Sequence, residues 1–107
     1  MAHRQILGPV RLFSAGTTGT SDVLNFAGRC VESAWAIECS AGVTGGTIKL
    51  EHALSPDYAG AWAEIVSFDL STSLQQLYQH TGRLWCTRLR FTANAVGGTV
   101  IADGGGG

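Results

Sequence analysis

Val31-Glu32-Ser33-Ala34-Trp35-Ala36-Ile37-Glu38-Cys39 is the stretch whose reading decides the fold. Val31, Ser33, Trp35, Ile37 and Cys39 share one phase of a two-residue period, while Glu32 and Glu38 fall in the other with two alanines between them. Side chains of an extended chain point alternately to opposite faces, so this is the pattern of a strand buried on one side. After the glycine-rich run from Ala41 to Gly46, Thr47-Ile48-Lys49-Leu50-Glu51-His52 alternates again, with Lys49 and Glu51 marking a wet face opposite Ile48 and Leu50. Ser55-Pro56-Asp57-Tyr58-Ala59-Gly60 is a turn cluster that feeds a third strand, Ala61 to Phe68, containing β-branched and aromatic residues. The three read as a meander that seeds an all-β domain. Its candidate core includes Val31, Trp35, Ile37, Cys39, Ile48 and Leu50.

Working outward, Val10 to Ser14 predicts a first strand with Pro9 at its start, where a missing N–H suits an edge. The small polar run Ala15 to Ser21 predicts an exposed loop, and Asp22 to Ala27 a second short strand. Towards the other end, Trp85, Thr87, Leu89 and Phe91 share one phase and Leu84, Cys86, Arg88 and Arg90 the other. Leu89 and Phe91 join the candidate core, and Arg83, Arg88 and Arg90 form a candidate interfacial ion-pair set. The one helical signal is the i, i+3, i+4 spacing of Leu74, Leu77 and Tyr78, which predicts at most one short helix near residues 72–80, crossing between sheets. Val43-Thr44-Gly45-Gly46-Thr47-Ile48 is similar to Ala95-Val96-Gly97-Gly98-Thr99-Val100, and the paired glycines predict a shared hairpin solution in two sheets. The expected architecture is a single antiparallel β-sandwich, jelly-roll or Ig-like, over residues 9–102. A flexible arm at 1–8 and a flexible glycine tail at 103–107 flank it.

With 107 residues and 45% hydrophobic content the chain supports one domain with a single core. Charged residues make up 14%, against roughly 25% in ordinary soluble domains, and the net charge is −1. No long-range field and no basic run attract nucleic acid or an anionic membrane, so a protein partner is expected instead. No stretch approaches the roughly 18 apolar residues of a membrane span, and the first nine residues contain no continuous apolar run, so the expectation is a chain made and kept in a cytoplasm. Cys30, Cys39 and Cys86 are odd in number and lack C-x-x-C spacing, which argues against a disulfide framework, and for Cys39 and Cys86 favours reduced core thiols over a bridge between them.

Catalytic chemistry is absent from the motifs. His3, His52 and His80 are scattered, with no spacing that places two metal ligands on one face. There is no G-x-S-x-G elbow, and the glycine pairs lack the phosphate-loop pattern. No catalytic residue, metal or cofactor is expected. Trp35, Trp62 and Trp85 have alternating apolar neighbours and are expected to be buried, Trp62 with ambiguous phase. The competing class is a carbohydrate- or receptor-binding sandwich that uses one tryptophan with the loops Ala15 to Ser21 and Ser55 to Gly60.

Val43-Thr44-Gly45-Gly46-Thr47-Ile48-Lys49-Leu50-Glu51, then Gly60-Ala61-Trp62-Ala63-Glu64-Ile65, then Arg88-Leu89-Arg90-Phe91-Thr92-Ala93 before Gly97-Gly98-Thr99-Val100, resembles the small β-sandwich proteins of tailed-bacteriophage virions, particularly capsid decoration or cement proteins. The resemblance implies a non-enzymatic protein on the outside of an icosahedral shell, often a homotrimer at symmetry axes, that clamps neighbouring copies of the major capsid protein. Another head or tail component is the variant reading. The arm from Ala2 to Pro9, with Ile6 and Leu7, is a candidate docking segment for an adjacent subunit.

Overall fold

The structure, a computed structural model, describes residues 7–106. Among the described residues eight strands follow one another: β1 (Leu7–Gly16), β2 (Leu24–Asn25), β3 (Glu32–Cys39), β4 (Gly45–Ala53), β5 (Ala63–Asp69), β6 (Gln75–Thr81), β7 (Cys86–Val96) and β8 (Val100–Gly106). They form two four-stranded sheets, ordered β1-β8-β3-β6 and β2-β7-β4-β5, and every pairing is antiparallel. All connections cross between the sheets except the one from β4 to β5, which is a hairpin. Eight strands wound in this order make a jelly roll, which decides between the two sandwich types expected. Pro9 does lie in an edge strand, β1.

The core forms where the two inner faces meet. Trp35, Ile37 and Cys39 of β3 point inward with Val100 and Ala102 of β8, against Ile48 and Leu50 of β4 and Leu89 and Phe91 of β7. Trp35 sits at its centre, edge-on to Phe26 and tilted against Tyr78. Cys39 and Cys86 are reduced and buried, and burial pushes both thiols up from their ordinary range.

Four expectations are corrected. The central meander does not exist as one sheet: β3 belongs to the first sheet, β4 and β5 to the second. The two similar glycine segments make crossovers instead of hairpins, and they lie against each other. Thr44 N donates to Val96 O at 2.9 Å, and a methyl group on Gly42 or Gly97 would overlap the other's carbonyl oxygen. Gly97 also has φ +89°, a conformation that glycine adopts without steric cost. The helix expected near 72–80 is strand β6, whose inward side chains Gln76, Tyr78 and His80 are half-buried while the intervening ones are exposed. Val31 is 39% exposed, because β3 begins at Glu32 and Val31 belongs to the preceding connection.

The glycine tail also differs from its expectation. Gly104, Gly105 and Gly106 are strand residues of β8, which lies between β1 and β3. A Cβ on Gly104 would come within 2.5 Å of Trp35 Cδ1 and 2.6 Å of its Nε1. The missing side chain is the space that the indole occupies.

Candidate protein interface

The antiparallel registers bring three connections to one end of the sandwich: residues 26–31, 54–62 and 82–85. Backbone bonds tie the first of them to the last, Phe26 N to Trp85 O at 2.7 Å, Gly28 N to Leu84 O at 3.0 Å and Gly82 N to Val31 O at 2.8 Å. This end exposes Val31, Leu54, Tyr58 and Trp85, with Leu54 at 72% and Trp85 at 40%. Trp85 escapes its expected burial because it precedes β7, and Cys86 and Thr87 are both buried, so the alternation changes phase there. Its ring rests on Gly28 and beside His52, whose Nε2 accepts from the Trp85 backbone N–H at 3.2 Å. Burial, with the nearby charge of His80, holds the His52 imidazole below its usual range, which suits an acceptor.

Next to this end, on the outer face of the second sheet, Glu51 of β4 stands beside Arg88 and Arg90 of β7. Its carboxylate accepts from Arg88 Nε at 2.9 Å and from Arg90 Nε at 3.0 Å on one oxygen, and from Arg90 Nη2 at 2.9 Å on the other. Glu51 is only 4% exposed. Burial alone would push its carboxyl up, but the hydrogen bonds and charges of the two arginines outweigh it and hold the group below the usual carboxylate range. The Arg88 guanidinium lies 4.3 Å from the centre of the Trp62 ring, a cation–π contact, and Trp62 Nε1 donates to Tyr58 O at 3.3 Å. Trp62 is therefore half-buried and links the arginine cluster to the apolar loop end. A separate Lys49–Glu64 ion pair at 2.7 Å lies on the β4–β5 pair.

Of the residues singled out in the sequence, Arg88 and Arg90 come together, whereas Arg83 stands apart and donates from Nη1 to Gly28 O at 3.0 Å. Ile6 lies outside the described residues. Leu7 is the first residue of β1 and pairs with Gly106. Glu51 was legible only as a wet-face residue. Its partnership with the arginines depends on the β4–β7 register, for which single-strand periodicity carries no signal.

No protein-family description matches the sequence, and no curated protein matches it. Solved structures do match in shape. The SPBc2 prophage-derived protein YomS superposes with a TM-score of 0.70 at 13% identity, over 99% of this chain and 97% of that one. The K1 cleaved adhesin domain of Lys-gingipain from Porphyromonas gingivalis W83 gives 0.51 at 8% identity, over 91% and 70%. The likeness is one of fold. It places the chain among all-β sandwiches that occur in a prophage product and in an adhesin domain.

Proposed function

We propose that this chain is a structural, non-enzymatic protein of a bacteriophage virion, docked on the outer capsid surface by the loop end of its sandwich and cementing neighbouring copies of the major capsid protein. The observation that carries the reading is the grouping of Val31, Leu54, Tyr58 and Trp85 on three loops at one end, beside Trp62, Arg88 and Arg90. Tryptophan, tyrosine and arginine dominate the binding energy of protein interfaces, with apolar anchors at the centre and charge at the rim. The sandwich shared with a prophage-derived protein supports the setting. The low charge supports a protein partner, and a repeated lattice multiplies modest contacts into firm attachment.

The test is co-sedimentation of the purified chain with DNA-filled heads from a virus lacking it. Wild type saturates at a fixed ratio to the capsid protein, and joint Tyr58→Ala and Trp85→Ala substitution weakens occupancy about tenfold or more. Absence of binding by the wild type, or equal binding by the variant, refutes the reading.

A further inference from the structure

A strand at the edge of a sheet presents unpaired N–H and C=O groups, and proteins shield such edges with prolines, charges, bulges or brevity. Three of the four edges here are shielded. β1 carries Pro9 and Arg11 and shifts register against β8 at three places, β2 is two residues long, and β5 carries Glu64 and Asp69 and is bulged at Ile65. β6 has none of these devices. Gln75-Gln76-Leu77-Tyr78-Gln79-His80-Thr81 contains no proline, glycine, acid, lysine or arginine, and it pairs with β3 residue for residue from Glu32↔Thr81 to Glu38↔Gln75 without a shift.

Which of its backbone groups are open follows from the ladder. Cys39 N donates to Leu74 O at 2.7 Å and Gly82 N to Val31 O at 2.8 Å, both in line with the β3–β6 register. Hydrogen-bonded pairs alternate along an antiparallel ladder, so residues 76, 78 and 80 bond to β3, while 75, 77, 79 and 81 aim their N–H and C=O away. Ser73 Oγ occupies both groups of Gln75, donating to its O at 2.7 Å and accepting from its N at 3.2 Å. The N–H and C=O of Leu77, Gln79 and Thr81 remain outward. Leu77 is 68% exposed, and its side chain borders a recess of about 360 Å³ floored by Ala36 and flanked by Ile101.

We propose that β6 is the docking edge for a second copy of this chain, paired antiparallel across a two-fold axis at Gln79, so that two four-stranded sheets join into one of eight strands. In that register Leu77 lies opposite the partner's Thr81, Gln79 opposite the partner's Gln79, and Thr81 opposite the partner's Leu77. Every outward N–H and C=O of these three residues then meets its complement. Tyr78 comes to face the partner's His80 at the half-buried inner side. A second copy is the occupant that the edge fits because the strand has no carboxylate, lysine or arginine that its own image would repel, and an isologous contact uses one patch twice. The shielded edges elsewhere stop growth at two. The contact needs nothing from the loop end and stands or falls independently of the capsid reading. It departs from the three-fold assembly implied by the virion resemblance.

Sedimentation of the full chain tests it. Wild type is expected as a dimer at about 0.1 mM, with a dissociation constant on the order of 10 µM for so small a contact. Gln79→Lys and Gln79→Glu each raise that constant at least about tenfold, because each places two like charges on Cα atoms about 5.5 Å apart at the axis. Mixing the two variants in equal amounts restores the dimer. As a reading independent of charge, Gln79→Cys crosslinks into a covalent dimer under mild oxidation, whereas Gln75→Cys, out of register, does not. A monomeric wild type, a trimer, a dimer indifferent to both charged variants, or one that dissolves on deleting residues 2–6 overturns the proposal.

Discussion

Replacing Glu51 by glutamine keeps the shape of the side chain and removes the charge that two guanidinium groups share. Three charge-assisted hydrogen bonds end on this carboxylate, each worth about 1.5–3 kcal/mol where fully sheltered. Breaking a fully buried ion pair costs about 3–5 kcal/mol. The side chains of Arg88 and Arg90 keep 25% and 39% of their exposure, so water recovers part of that loss and the expected cost falls to about 2 kcal/mol. For a domain of this size that is a fall in Tm of about 8–16 °C at pH 7.

The pH dependence separates this cause from a packing defect. Glu51 has a folded-state pKa below its ordinary value of 4.5, so its stabilisation is complete above that value and is lost as pH falls through the folded pKa. The glutamine variant has no such loss. Thermal unfolding of both proteins from pH 7 downward should therefore show a gap that narrows below pH 4.5. Other acids that are shifted downward, such as Asp69, titrate alike in both proteins and cancel in the difference. A gap under about 2 °C at pH 7, or one that persists unchanged near pH 2, refutes the argument.

Gly104→Ala should lower the urea midpoint by an amount equivalent to about 1–3 kcal/mol, since the new methyl group would overlap Trp35; an unchanged midpoint would show that the indole has room to move. Thr87→Val should leave stability unchanged or raise it by up to about 1 kcal/mol, because the fully buried Thr87 hydroxyl finds no hydrogen-bond partner among the described residues; a loss of more than about 1 kcal/mol would mean that the hydroxyl is bonded.

What the sequence could and could not convey follows from these residues. A two-residue period reports which face of a strand is buried, so β3, β4 and β7 and most of their core residues were legible. It is silent about which strand lies alongside, and so the crossings at residues 40–44 and 97–99 read as hairpins. β6 hid its period because its inward residues at the sheet's edge are Gln76 and His80, while Leu74, Leu77 and Tyr78 happened to fall at helical spacing. Composition cannot tell a glycine that frees the chain from one that makes way for a neighbour, which is why Gly104 under Trp35 read as tail. Arg88 and Arg90 were recognisable by phase. Their common partner Glu51, and the Trp62 ring beneath Arg88, required the register.

The position of β8 also governs the order in which the molecule can be finished. This strand joins β1 to β3, yet it comes from the end of the described chain. While residues 100–106 are still inside the ribosome, β1 has no neighbour in its sheet and β3 is open on one side, with the indole of Trp35 lacking its glycine cover. A nascent chain halted there carries two strands with bare edges and an uncovered aromatic centre, which makes a stall at that point a greater aggregation hazard than one before β3 has formed.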